Sequence, residues 1–143
     1  MIDFAEMEKL IGKVLPGGAA RILPYEDWLM SDAVCAVPAA NGAHPIWAYL
    51  APMAGLGLTW GEFFAFAGAQ ADDGPMLGEI DIEIREPLQT DVPYRAEGEI
   101  IDVKRKSGRA LGVFDLLTFR VDLLLGERRV ATSTQSIIFP RRG

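Results

Sequence analysis

The chain is poor in the residues that most enzymes use for polar chemistry near neutral pH. Of its 143 residues one is histidine and one is cysteine. A single cysteine, Cys35, excludes an intrachain disulfide framework and any zinc site built on several cysteines. Positive charge is also scarce, with 14 Lys and Arg against 20 Asp and Glu and a net charge of −6. An acidic surface opposes the phosphate contacts of general nucleic-acid binding, so nucleic acid is not an expected partner. No apolar run approaches the roughly 18 residues that read as a membrane span, and the first residues lack a basic-then-apolar signal. The expectation is a cytoplasmic protein with no membrane partner, no metal and no bound cofactor. Any acid–base chemistry must then rest on Asp, Glu, Ser, Thr, the backbone or the lone His44.

What the chain does have is apolar content. Half of it is hydrophobic, enough at this length to fill the core of one domain spanning residues 1–143. Residues 2–12 carry a partial helical stripe ending at Gly12, and Pro16-Gly17-Gly18 forces a turn. A short strand is expected over 19–23 and a helix over 25–30, with Pro24 at its first turn and Glu26 and Asp27 favourable near its positive end. Residues 36–45 hold Pro38, Asn41-Gly42 and Pro45 and read as loop. After Pro52 comes the most apolar stretch. Its aromatics Trp60, Phe63, Phe64 and Phe66 predict a buried central helix over about 59–69, preceded by Ala54, Gly55 and Gly57.

From Gly78 the period changes to two. Glu79 to Arg85 alternates strictly and reads as a strand with one buried face. A second strand is expected over 94–106, where a change of phase predicts a bulge near Ile100-Ile101. A third runs over about 113–125, and a tight turn at Gly126-Glu127 leads to a fourth over about 129–139. Strands this long imply strong curvature. One apolar helix followed by an antiparallel meander is solved physically by wrapping the sheet around the helix, an α+β architecture. One small sheet cannot cover such a helix on every side, so a dimer is expected.

Three stretches carry a resemblance to the MaoC-like hotdog hydratases and dehydratases, which act on acyl thioesters. They are Ala20–Asp32, His44–Leu58, and the strands from Gly78 to Pro140 with the closing Ala131-Thr-Ser-Thr-Gln-Ser136. The resemblance implies a hotdog fold, an acyl-CoA or acyl-carrier-protein thioester as partner, and addition or removal of water at its acyl group. The family's hydratase signature is a Gly-Asp pair, then Asn-Pro, with a histidine five positions after the aspartate. Here Ser31 precedes Asp32, Val37 holds the fifth position, and His44 comes twelve positions later. Either a longer loop delivers His44 to the same place or the pair is incomplete.

On the functional reading, Asp32 and His44 hold and deprotonate one water. Otherwise Asp32 is a polar helix-end residue and His44 a loop residue satisfied by backbone or solvent. Backbone N–H groups near Ala54, Gly55 and Gly57, at the start of the expected helix, would polarise the thioester carbonyl. The alternative there is close packing of the glycines on the sheet. Glu62 within the apolar helix resembles the carboxylate of some hotdog thioesterases, or it lies on a polar edge. Lys104, Arg105, Lys106 and Arg109, joined by Arg141 and Arg142, form the one basic cluster and could meet coenzyme A phosphates; a solvated hairpin is the alternative. Cys35 reads as a small core residue. Three functions are in view: a hydratase or dehydratase, an acyl-CoA thioesterase, and a non-catalytic hotdog subunit supporting a partner.

Overall fold

A computed structural model describes residues 2–141. Helix α1 (Phe4–Glu8) is capped by Asp3, and strand β1 (Gly18–Ala20) follows. Pro24 opens α2 (Pro24–Ala33), where its fixed φ and missing N–H cost nothing. Next come α3 (Trp47–Ala54), α4 (Trp60–Phe66) and a 3-10 turn (Ala71–Asp73). The long strands are β2 (Met76–Ile84), β3 (Tyr94–Gly108), β4 (Gly112–Leu125) and β5 (Arg128–Pro140). All pair antiparallel, in the order β1-β3-β4-β5-β2.

The sheet follows the period-two pattern closely. The expected bulge is present, with the β3–β4 register shifting between Ile100 and Asp102. Gly126 sits at φ +62°, the left-handed conformation the β4–β5 turn demands. Along β4 the residues Asp115, Leu117, Phe119, Val121 and Leu123 face the helices and are completely buried. This is a hotdog fold, with one curved sheet and its helices against one face.

The helix at the centre is not the one expected. It is α3, which contacts all five strands and buries Trp47, Ala48, Ala51 and Pro52. Pro52 reads as a break in the sequence, yet it is accommodated inside this helix. The aromatic stretch forms α4, only seven residues long. Phe63 is buried and packs its ring 4.7 Å from that of Phe119, while Trp60 is 42% exposed. Aromatic richness marked a short helix that sends Phe63 into the core, while the helix lying against all five strands is α3.

The two edges of the sheet differ. Strand β1 is three residues long and offers little to pair with. Strand β2 is nine residues long and exposed throughout, so the buried face expected of Glu79–Arg85 is not covered within this chain, because the strand lies at the sheet's edge.

Candidate functional site

Residues flanking the start of α3 hold the only histidine. The His44 Nδ1 accepts the Ile46 N–H at 3.1 Å, so the neutral ring carries its proton on Nε2. Asp27 on α2 reaches across to the same segment. Its Oδ1 accepts the His44 backbone N–H at 2.8 Å and the Trp47 indole N–H at 3.0 Å. Asp27 thereby locks α2 to the start of α3.

Asp32 makes no such contact. It lies five residues beyond Asp27, which turns it about 140° around the helix. It is exposed, and no hydrogen bond joins it to His44 among the described residues. The expected partners Asp32 and His44 thus share no direct hydrogen bond, and Asp32 stands at an exposed position of α2. Asp27 was missed because its sequence position near the positive end of a helix has a sufficient local explanation. Only the 17-residue return of the chain shows what it binds.

The carbonyl-polarising role expected around Gly55 fails for a directional reason. Ala54 is the last residue of α3 and Gly55 is its C-cap, so the free groups there are carbonyls and not N–H donors. The Gly55 N–H is spent on the Ala51 carbonyl at 3.0 Å. A Cβ at Gly55 would lie 2.8 Å from the Cβ of Ala96, and one at Gly57 would lie 2.4 Å from the Gly17 carbonyl oxygen. Both glycines let the end of the core helix press against its neighbours.

Glu62 is not a buried base. It forms a capping box with Thr59, accepting the Thr59 N–H at 2.8 Å and the hydroxyl at 2.9 Å. In return the Glu62 N–H donates to Thr59 Oγ1 at 3.2 Å. Hydrogen bonds from the Thr59 backbone and then its side chain lower the Glu62 pKa, holding an exposed carboxylate ionised. Cys35, expected in the core, is exposed with φ +55° just past α2.

The basic cluster is largely consumed inside the molecule. Lys104 pairs with Asp102 at 2.7 Å. Arg105 grips Asp115 with two bonds of 2.7 and 2.9 Å and also donates to the Ile2 carbonyl. Arg141 is buried; it bonds Asp115 at 2.7 Å and the Ala67 carbonyl at 2.7 Å. Burial acts to raise the Asp115 pKa, but the bonds from Arg105 and Arg141 prevail and the net shift is downward. Lys106 and Arg109 remain exposed and form no ion pair among the described residues. Arg142 lies outside the described residues.

An apolar cleft of about 270 Å³ opens between α3, α4 and β2, lined by Tyr49, Trp60, Phe64, Pro75, Met76, Leu77 and Ile137. Trp60 stacks on Phe64 with centroids 5.7 Å apart and forms one wall. Deeper beneath α3, Gln135 donates to Ser133 Oγ at 3.0 Å and Met53 Sδ at 3.1 Å, and its Oε1 is buried without a partner. A larger groove of about 560 Å³ includes Arg95, Glu97, Glu99, Arg120, Asp122 and Arg129 in its lining. Those side chains pair with one another, so that groove does not suit an acyl tail. No metal-binding cluster of His, Cys, Asp and Glu occurs among the described residues. No helix described is long and apolar enough to cross a membrane.

No protein-family model and no curated protein sequence matches the chain. Solved structures do resemble it. The ChsH1–ChsH2 complex from Mycobacterium tuberculosis aligns with a TM-score of 0.74 at 16% identity, covering 97% of this chain and 90% of that one. The C-terminally truncated HadBC complex from the same organism, a 3R-hydroxyacyl-ACP dehydratase, gives 0.67 at 11% identity, with coverage of 90% and 96%. A MaoC-like dehydratase from Rhodospirillum rubrum gives 0.54 at 13% identity, with coverage of 93% and 94%. The chain therefore shares its fold with MaoC-like and related hotdog proteins, dehydratases among them.

Proposed function

We propose that this protein is a hotdog subunit of a heteromeric acyl-thioester hydratase or dehydratase, holding the acyl group while a second hotdog chain supplies the acid–base residues. The observation that carries this reading is that Asp32 is exposed and makes no hydrogen bond to His44 among the described residues. Asp32 faces solvent, and Asp27 spends an oxygen on the His44 backbone and the Trp47 indole. General acid–base catalysis needs two groups within hydrogen-bond reach of one water. The apolar cleft beside β2 fits the other half of the task, because it offers aromatic walls with no carboxylate, imidazole or cationic side chain in its lining. Two of the similar structures are themselves complexes of two named chains, which supports an assembly of unlike subunits. The acyl carrier, coenzyme A or a carrier protein, would approach from outside the cleft.

One observation favours the simpler reading of a self-sufficient hydratase: the half-buried His44 ring keeps Nε2 free of any bond within the described residues. On that reading Asp27 and not Asp32 is its neighbouring carboxylate. Purified protein assayed with crotonyl-CoA and with saturated decanoyl-CoA separates the two. The subunit reading expects no hydration and no free thiol, with decanoyl-CoA bound and the affinity falling about tenfold in Trp60→Ala. Hydration abolished by His44→Ala would establish the self-sufficient enzyme instead. Absence of decanoyl-CoA binding would remove the acyl-holding role.

A further inference from the structure

Strand β2 is an edge built to be paired. Its helix-side row, Leu77, Ile80, Ile82 and Ile84, is 51%, 37%, 41% and 42% exposed. These residues continue the inner row of β5, lying opposite Ile137, Gln135, Ser133 and Ala131. An edge merely protected from aggregation would be short, charged or bulged on that face. This one is long and apolar there, with a single register shift between Leu77 and Glu79. The apolar cleft shares Met76 and Leu77 with it, so whatever covers the edge also closes one side of the cleft.

The opposite row is different. Glu79, Asp81 and Glu83 stand opposite Ser136, Thr134 and Thr132 of β5. Glu83 pairs with Arg85 at 3.0 Å, but no ion pair reaches Glu79 or Asp81 among the described residues. Arg120, two strands away in the same row as Asp81, is drawn to Glu99 and Asp122. Lys104 and Lys106 stand on β3, three strands or about 14 Å off in backbone spacing, and with Glu79 and Asp81 they line a groove of about 390 Å³ across the outer face. Lys104 is held by Asp102, and on β2 itself the outer row is acidic from Glu79 to Glu83, up to the open edge.

A second copy of this chain is a poor fit to that row. Antiparallel self-pairing centred on Ile80 or Asp81 sets at least two carboxylates of one copy directly opposite carboxylates of the other, and centring on Ile82 sets Asp81 and Glu83 against each other beside Glu79–Arg85 pairs. Like charges directly opposite across a strand pair are destabilising. We infer that β2 selects a non-identical hotdog partner, whose edge strand is apolar on the helix side and carries Lys or Arg on the outer side. This rests on the heteromeric reading above and deepens it by naming the recognition chemistry. The acidic row rejects self, and the isoleucine row holds whichever partner is accepted.

The test needs no knowledge of the natural partner. A charge-reversed form, Glu79→Lys/Asp81→Lys/Glu83→Lys, is mixed with the unaltered protein and followed by sedimentation velocity at micromolar concentration. Each protein alone is expected to sediment as a monomer, and the mixture as a 1:1 dimer at least tenfold tighter. That dimer should weaken in 1 M salt, where the Debye length falls to about 3 Å, and should vanish with Ile82→Lys in either chain. If circular dichroism shows the triple form unfolded, Glu79→Lys/Asp81→Lys serves in its place. A dimer of the unaltered protein as tight as the mixture overturns the inference, and so does a mixture that stays monomeric. Decanoyl-CoA binding, measured on the unaltered chain, reports separately on the acyl-holding role.

Discussion

At one end of the sheet Asp115 is completely buried, yet Arg105 and Arg141 bond both of its oxygens, and those arginines also bond the carbonyls of Ile2 and Ala67. At the far edge Glu79, Asp81 and the isoleucines Ile80, Ile82 and Ile84 are exposed, and their strand has one side unpaired. The first region ties β3, β4, the segment before α1, the end of α4 and the C-terminal segment into a closed unit. The second holds the same ingredients, carboxylates and apolar side chains, with the complementary half missing. The contrast separates what folding completes within one chain from what it leaves to an interface. A buried charge must be matched within the fold because desolvation is costly. An exposed row can wait for a partner.

Breaking the closed region should have the largest effect. Asp115→Ala leaves two guanidinium groups facing each other without an anion and should cost about 3–5 kcal/mol in urea unfolding. The same carboxyl makes stability depend on acid. Its folded pKa lies below the ordinary aspartate value of about 3.9, so its contribution is fully present above that pH and is lost as pH falls through the lowered folded value. The thermal midpoint of the unaltered protein should therefore drop at low pH through a step that Asp115→Ala lacks.

A middle-sized effect tests the join between α2 and α3. Asp27→Ala leaves the His44 N–H and the Trp47 indole without an acceptor and should cost about 1–3 kcal/mol. Asp32→Ala, five residues on and exposed, should stay within about 0.5 kcal/mol. Equal losses would mean that the two aspartates are not divided as their contacts imply. The smallest effect belongs to the open edge. Ile82→Thr should change the unfolding free energy of the lone chain by less than about 1 kcal/mol, because Thr suits a half-exposed strand. It should still weaken the charge-swapped dimer, which sedimentation would detect.

Periodicity made the sheet legible. Alternation over Glu79–Ile84 and the phase change at Ile100-Ile101 are local properties, because a strand shows opposite faces at every second residue. The turn at Gly126 was legible for the same reason. The helices were harder. Trp47–Ala54 holds Pro52 and only eight residues, too short to declare its period, whereas the aromatic run after it suggested a core helix. Placing the helix start at Thr59 also inverted the polarity of Gly55, turning a C-cap into an expected donor.

The candidate site was less legible still, because bonding partners are set by chain return and not by neighbourhood. Asp27 meets His44 and Trp47 only after α2 folds back on α3. Arg105 and Arg141 looked like a free basic cluster until Asp115 was found between them. What the sequence by itself determined is the meander, its bulge, the apolar content that demands a wrapped core, and the acidic balance of charge. These follow from residue spacing and composition, which act locally or in sum. Which helix lies at the centre, which charges are spent inside and which edge stays open were decided only by the tertiary structure, where residues far apart in the chain compete for the same partners.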